Sequence, residues 1–353
     1  MRVLFDAFWW MAGPVSNRQV MREFVLAWER EFPQDRMTLA VPAVSVGAVR
    51  SEVPSRVEIV ATRLRPQGVS AILELPVLAH RLGVDVIFTH NFTPLCGRSA
   101  VFVHDLMFVE HPKWFTRSEQ AYFALMTLTL GRARWVLSSS STEASRISRL
   151  TRSHPPVEPV GLGLSRALSI ADAARPEGFD GVDDFLLSVG RLNERKNLGR
   201  TIEAAMASGL ISERIPLIIV GEPGGKEAVF SPLVARAVSA KAVRFLGFVT
   251  DDQLAWLYGQ ARVFVFLSLD EGFGMPTLEA MHFGAPVVAS NIAVFREILG
   301  DRATYVDPGD TADVANGLRQ AYDAGRRDPV DVAALGYSWE QSVRSMRRVI
   351  SQQ

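Results

Sequence analysis

The stretch Ser268-Leu-Asp-Glu-Gly-Phe-Gly-Met-Pro-Thr-Leu-Glu-Ala-Met-His-Phe-Gly-Ala-Pro-Val-Val-Ala-Ser290 limits what this chain can fold into. Just before it, Val263 to Leu267 is an apolar, β-branched run with the length of a buried strand. Gly272 and Gly274 let the backbone come close to a ligand. Pro276 suits the first position of a helix, where its missing N–H would be unpaired in any case. The helix is expected to reach Phe283 and stop at Gly284, with Pro286 just beyond. The order is strand, glycine loop, helix, turn, strand.

A helix that starts behind a glycine loop presents free N–H groups and the positive end of its dipole, which suits a phosphate. Met275, Thr277 and Leu278 open this helix. Two carboxylates bracket the place: Glu271 in the loop and Glu279 about one turn into the helix. A carboxylate only accepts hydrogen bonds, so it fits paired hydroxyls of a sugar or a ribose.

Glu271 and Glu279, with Gly272-Phe273-Gly274-Met275-Pro276 between them and Gly284-x-Pro286-Val-Val-x-Ser290 after them, resemble the Glu-x7-Glu segment of retaining family 4 glycosyltransferases. The resemblance implies an α/β chain of the GT-B type: two doubly wound Rossmann-like domains facing an interdomain cleft. It also implies a nucleoside diphosphate sugar as donor. By the same resemblance, Glu279 binds ribose hydroxyls and Glu271 the donor sugar.

A second segment agrees. Phe185 to Val189 reads as a strand, followed by Gly190-Arg-Leu-Asn-Glu-Arg-Lys-Asn-Leu198 and a helix through Ala207. This is similar to the family's Gly-Arg-x4-Lys motif, so Arg191 and Lys196 are expected on the diphosphate. A guanidinium fork and an ammonium point charge suit a departing diphosphate without a metal. No Asp-x-Asp triplet and no Cys/His cluster occurs, so neither a metal nor a cofactor is expected. Gly247-Phe248-Val-Thr-Asp-Asp-Gln follows another short strand; in similar enzymes this segment meets the base. Thr250 is expected to cap the helix that begins at Asp251.

The first half carries the resemblance in patches. Arg2 to Phe8 is a strand, and Trp9 to Asn17 is a loop with Gly13-Pro14 where the family has a second glycine. Ligands of doubly wound sheets sit beyond the strand carboxyl ends, so Gly13 is a donor-site candidate. Trp9 and Trp10 suit an acceptor site or core packing equally. Val103-His104-Asp-Leu, followed by His111-Pro-x-x-Phe115, resembles the family segment whose strand-end histidine faces the donor sugar, so His104 joins the catalytic set. Met37 to Val41, Val57 to Ala61 and Val84 to Thr89 read as further strands, and the region with Pro42 and Pro54 reads as loop. Val69 to Leu82 reads as a helix divided at Pro76. Lys113 to Gly131 reads as a core helix, with a membrane-surface helix as the sharper alternative.

The chain's 353 residues suit two domains. Residues 1–165 form the expected acceptor domain and 166–337 the nucleotide-sugar domain, with 166–183 as linker and the helix from Ser338 packing back on the first domain. Zero net charge argues against a nucleic-acid partner. Lys/Arg and Asp/Glu number 18 and 14 in residues 1–165, a balance of +4, and 20 and 24 in the remainder, a balance of −4. That suits peripheral contact with an anionic membrane, a phosphate-bearing acceptor, or simple scatter. The lone Cys96 and the lack of an apolar run near ~18 residues lead to a cytoplasmic expectation, at the inner face of the membrane if the contact exists.

These readings give a hexosyltransferase that moves a sugar to a hydroxyl of a glycan or lipid-linked saccharide in cell-surface polysaccharide synthesis. GDP-mannose is the leading donor, because the His-Asp-Leu segment resembles bacterial polysaccharide mannosyltransferases. A nucleotide-sugar epimerase of the same fold and a non-catalytic nucleotide- or glycan-binding module are the alternatives. A dehydrogenase is disfavoured, since no Gly-x-Gly-x-x-Gly follows either first strand.

Overall fold

The computed structural model describes residues 1–151, 154–177, 179, 181, 182, 184–222 and 231–352. The chain forms two units. One holds Met1–Pro112, Thr116–Gly163 and Gly336–Gln353; the other holds Lys113–Phe115 and Leu164–Leu335.

The first unit is built on seven parallel strands: β1 (Arg2–Asp6), β2 (Arg36–Pro42), β3 (Glu58–Thr62), β4 (Val86–His90), β5 (Ser99–Val103), β6 (Trp135–Ser138) and β7 (Val157–Pro159). Their order is β3-β2-β1-β4-β5-β6-β7. Central strands of a parallel sheet are covered on both faces, so they read as continuous apolar runs. Val3, Leu4 and Phe5 of β1 and Val101 and Phe102 of β5 are at most 1% exposed.

The second unit has six parallel strands: β8 (Leu186–Val189), β9 (Leu217–Val220), β10 (Val243–Gly247), β11 (Val263–Phe266), β12 (Val287–Ser290) and β13 (Ala303–Val306). Their order is β10-β9-β8-β11-β12-β13. Leu186, Leu217, Ile219, Val263 and Val265 lie in one buried cluster with Ile202 and Leu318 from covering helices. In each sheet the order reverses once, between β1 and β4 and between β8 and β11. Loops leaving the carboxyl ends on either side of such a reversal diverge and leave a crevice for a ligand.

Three sequence expectations need correcting. Between β2 and β3 the chain is not loop alone: Val46–Glu52 is a short helix, and Arg50 closes its end by donating to the Val57 and Pro54 carbonyls at 2.7 Å each. Residues 166–183 are not a free linker. Arg166–Ser169 is helical, and Leu168 and Phe179 are each 2% exposed. The Asp172 and Ala174 amides donate to the Asp252 carboxylate and carbonyl at 3.0 Å, while the Phe179 ring stands edge-on to Trp256 at 5.2 Å. Two scattered apolar anchors show no periodicity, which is why the stretch reads as linker. Pro276 occupies the second helical position, not the first, because the helix starts at Met275. Gly224 and Gly225, which follow β9, lie outside the described residues.

At Pro76 the segment before β4 does divide: a π-turn at Ser70–Glu74 leads into the helix Leu75–Leu82. The helix Arg117–Leu130 starts with a capping box of Thr116 and Glu119 and buries Met126, Thr129 and Leu130 near its end, while Leu128 is 75% exposed. Among the described residues no helix is long and apolar enough to cross a membrane.

The helix Trp339–Ser351 belongs to the first unit. Trp339 meets Phe24 edge-on at 5.3 Å, and Val343 and Met346 are fully buried. Ser342 donates to the Gly161 carbonyl at 3.1 Å. Arg347 reaches the buried Asp35 carboxylate at 3.2 Å, and Arg30 pairs with Glu340 at 2.8 Å. Truncating Met346 to alanine removes a core side chain and is expected to cost about 2–5 kcal/mol. Calorimetric unfolding of the full chain should show the midpoint of one unit falling while the other stays. An unchanged thermogram would mean that this helix adds nothing to the first unit's core.

Candidate functional site

In the second unit, the loops that leave β8 and β11 meet at the sheet's point of reversal. The β8 loop begins at Gly190, whose φ of +155° and close neighbours exclude a side chain: a Cβ there would lie 3.2 Å from Lys196 Cε. Across from it, a Cβ on Gly221 would sit 2.0 Å from the Gly190 carbonyl oxygen. The loop then makes a 3₁₀ turn at Glu194–Lys196, held by the Asn193 side chain accepting from the Lys196 amide at 3.2 Å. Asn197 takes a left-handed conformation (φ +54°) and starts the helix Leu198–Ser208.

This turn aims Arg195 and Lys196 at the β11 loop. Lys196 Nζ donates to Glu271 Oε1 at 2.6 Å, and Arg195 Nη1 pairs with Glu271 Oε2 at 2.6 Å. Arg195 also donates to the Asp270 carbonyl at 2.9 Å and receives the Leu269 amide on its own carbonyl at 2.9 Å. Lys196 lies over the Phe266 ring at 4.3 Å, at the end of β11. Burial alone would raise the Glu271 carboxyl, but the Arg195 and Lys196 charges outweigh it and hold the pKa at about 2. Burial lowers Lys196 to about 8 despite Glu271, with the neighbouring Arg195 adding to the fall.

Arg191 stays exposed and makes no ion pair among the described residues. Sequence reasoning singled out Arg191 and Lys196 and passed over Arg195, which lies between them and holds the second oxygen of Glu271. Glu271 itself was expected as a free acceptor for sugar hydroxyls; here both of its oxygens carry cations.

The helix Met275–His282 begins at Gly274, whose φ is +93° and where a Cβ would come within 2.5 Å of Phe295. The Thr277 amide donates back to the Gly274 carbonyl at 2.9 Å, and the Thr277 hydroxyl does so at 2.8 Å. Pro276 has no N–H. The first turn therefore offers a ligand fewer amides than a regular helix start. Phe273 and Leu278 are buried beneath this turn, at 4% and 0% exposure. Gly272 lies buried in the same loop. Glu279, one turn along, is 7% exposed and accepts from the Tyr258 hydroxyl at 2.8 Å. Burial raises its carboxyl to about 7, although the Tyr258 hydrogen bond pulls the other way. Phe248, just past β10, is 70% exposed, and Thr250 caps the following helix Asp251–Gln260 in a capping box with Gln253.

The first unit holds the other two candidates. Gly13 has φ +117° and lies against Trp9: a Cβ would meet that ring at 2.1 Å. Trp10 is a core residue, 1% exposed, with its indole N–H on Glu52 at 2.9 Å. His104 leaves β5 with its amide on Asn91 Oδ1 at 2.9 Å and its Nε2 3.3 Å from His90 Nδ1. Burial lowers His104 to about 4, and burial with His104 beside it pulls His90 well below its ordinary range, so both rings are neutral at pH 7. Asp6 closes β1 beside them, accepting from Gln67 Nε2 at 2.6 Å, and burial raises it to about 6. The sequence reading named neither the partnership of His90 nor Asp6; three polar residues ending three adjacent strands were its only trace.

Comparison with known proteins places these features. Residues 170–331 match the family described as "Glycosyl transferases group 1". The "O-antigen chain mannosyltransferase B" of Escherichia coli is 36% identical over 162 residues, 44% of this chain and 42% of that protein. The "O-antigen chain mannosyltransferase RfbU" of Salmonella typhimurium is 28% identical over 229 residues, 64% of this chain and 61% of that one. The matched parts thus span less than two thirds of either relative. The crystal structure of Anabaena Alr3699/HepE in complex with UDP aligns over 100% of both chains, with a TM-score of 0.67 at 16% identity.

The two glutamates predict opposite pH behaviour. The folded pKa of Glu279, about 7, exceeds the ordinary 4.5, so the folded state holds an extra proton between these values. Stability from this group is full below pH ~4.5 and is lost as pH rises through ~7, by about 3 kcal/mol. Glu279→Gln should therefore melt higher than the parent at pH 8 and match it near pH 4.5. The folded pKa of Glu271 is depressed, so its contribution is present above pH ~4.5 and is lost as pH falls toward 2. Glu271→Gln should melt lower at pH 7, since it strands two cations. Melting curves of both variants between pH 2 and 9 test this, and parallel curves would contradict the assigned electrostatics.

Proposed function

We propose that this chain, which has the GT-B fold and is similar to bacterial polysaccharide mannosyltransferases, transfers a hexosyl group from a nucleoside diphosphate sugar to a hydroxyl. Mannose from GDP-mannose is the leading donor, a glycan or lipid-linked saccharide of the cell surface is the acceptor, and the anomeric configuration is retained. The names of the relatives support the sugar and the acceptor class. Nucleotide-sugar donors are made in the cytoplasm, and this reading puts the enzyme there, at the membrane's inner face when the acceptor is lipid-linked.

The observation that carries the reading is the meeting of Arg195 and Lys196 with Glu271 at the reversal of the second sheet. In glycosyl transfer, the bond between the anomeric carbon and the diphosphate oxygen breaks and negative charge grows on that oxygen. Fixed cations aimed at such a charge supply the largest catalytic term in many enzymes, because they need no reorganisation. Here the cations are positioned in advance by Glu271 and by the Asp270 carbonyl. Arg191, exposed on the same loop and without an ion pair among the described residues, adds a third cation within reach of the phosphates. Glu271 orients the cations and, through them, the sugar it adjoins; Glu279 takes the ribose. The acceptor proton can pass to the departing phosphate as its charge develops, so the scheme needs neither a covalent nucleophile nor a resident metal. His104, neutral at pH 7, supplies a hydrogen bond to a sugar hydroxyl.

Incubation with GDP-mannose and a lipid-linked or oligosaccharide acceptor should give α-linked product from the α-linked donor, read by NMR. Inverted product would remove the retaining assignment. Release of GDP without any acceptor, with an epimerised sugar, would point to the same fold doing other chemistry. Turnover should also survive EDTA. Complete loss restored by magnesium or manganese would refute the metal-free scheme.

Replacing Arg195 and Lys196 together by alanine should weaken GDP binding at least a hundredfold, since hydrogen bonds to charged groups are each worth about 1.5–3 kcal/mol. Arg191→Ala alone should cost less in GDP affinity than in turnover. Calorimetry on folded variants checks both, and an unchanged affinity in the double variant would remove the phosphate assignment.

A further inference from the structure

Tyr258 was not marked by any motif. It lies in the helix Asp251–Gln260, inside the apolar-aromatic run Ala255-Trp-Leu-Tyr258, where a tyrosine is ordinarily a packed ring. The structure gives it a more particular place. Its side chain is fully buried, stacked on Phe283 with planes 8° apart at 5.9 Å and edge-on to Phe264 at 5.5 Å. Its backbone is tied as well, since Arg326 donates to the Tyr258 carbonyl at 3.2 Å and to the Ala261 carbonyl at 2.8 Å. The ring cannot turn without disturbing that packing. Its hydroxyl points at Glu279 Oε2, 2.8 Å away.

Once Glu279 is ionised it can only accept, and burial together with Glu279 keeps the Tyr258 phenol well above its ordinary range, so in that state the tyrosine is the donor. Oε2 is thereby occupied, and Glu279 Oε1 remains to face a ligand. The groups that bear on the charge of Glu279 are Tyr258, which favours the ionised form, and Asp251 at the start of the same helix, which opposes it.

We infer that Tyr258 is a positioning residue for the nucleotide's ribose: by holding Oε2 of Glu279 it turns Oε1 toward the ribose hydroxyls and keeps the carboxylate a full acceptor. This rests on the nucleotide reading proposed above. Tyr258 touches no ligand in this scheme; its effect passes entirely through Glu279. Two consequences separate that from simple packing. The effect of losing the hydroxyl should vanish when the ribose hydroxyls are absent, and it should depend on pH, because the Tyr258 bond lowers the Glu279 pKa.

The test is Tyr258→Phe, which keeps the ring and removes only the hydroxyl, titrated with GDP, UDP and ADP and with the 2′,3′-dideoxy form of each. With the ribonucleotide that binds best, affinity at pH 7 should fall by about tenfold, the scale of one hydrogen bond to a charged group. With its dideoxy counterpart, parent and variant should agree within about twofold, on the same bookkeeping. The ratio of ribo to dideoxy affinity should rise through pH ~7 in the parent, the pKa of Glu279, and shift to higher pH in the variant. In a Glu279→Gln background the Tyr258 change should add no further loss. An equal loss for both sugars would make Tyr258 a packing residue and overturn the inference while leaving nucleotide binding standing. No loss in either would overturn it too. A parent protein that binds none of the three nucleotides would overturn the nucleotide reading and this inference together.

Discussion

One carboxylate shared by two cations joins the loops that leave β8 and β11 in the second unit. Without Glu271, Arg195 and Lys196 would repel each other in a half-buried turn; without them, Glu271 would be a charge buried at the end of a hydrophobic strand. Each group is tolerable because the others are there, a condition that buried charges generally require. The same arrangement explains why Lys196 titrates near 8 instead of losing its charge altogether. The glycines around it serve that placement. Gly190 and Gly221 let the backbones of adjacent strands close on each other, so that the turn carrying the cations reaches across to β11.

How much of this was legible depended on what kind of force produced it. The inner strands of the two sheets follow from short apolar runs, readable because burial on both faces leaves little alternative, whereas the edge strand Val157–Pro159, only partly buried, left no such run and was not read. The Gly190 to Leu198 and Ser268 to Ser290 stretches stood out as two loops that belong together, since glycine, proline and charge fall there in an order that packing alone would not demand, and the structure brings them into contact through Glu271. The rest required distances. Arg195 looks like any surface arginine until the turn points it at Glu271. Tyr258 is hidden in an apolar run, and its hydroxyl has meaning only against a residue 21 positions later. Phe179 packs on Trp256, and the Asp172 and Ala174 amides bond to Asp252, contacts about 80 residues apart in sequence that no local pattern records.

The first unit's polar cluster shows a different economy. Asp6, His90 and His104 end neighbouring strands, and their buried rings and carboxyl are joined by Gln67 and by each other. Because both imidazoles are held neutral, one nitrogen donates and the other accepts in the bond between them, as their tautomers decide. A pair like this sets the direction of a hydrogen bond without adding charge, which suits contact with uncharged sugar hydroxyls.

The helix Trp339–Ser351 completes the first unit, although the whole of the second unit, residues 164–335, is encoded before it. Its place against Phe24 must therefore stay uncovered during synthesis of 172 residues (335 − 164 + 1). At about 5–20 residues per second that is roughly ten to thirty seconds. For that interval the nascent chain shows a ribosome-bound apolar face, the kind of surface that trigger-type chaperones shield and proteases survey. A codon-level slowdown within the second unit would lengthen that exposure, so production in a foreign host should be more sensitive to translation speed there than the stability of the finished fold would suggest.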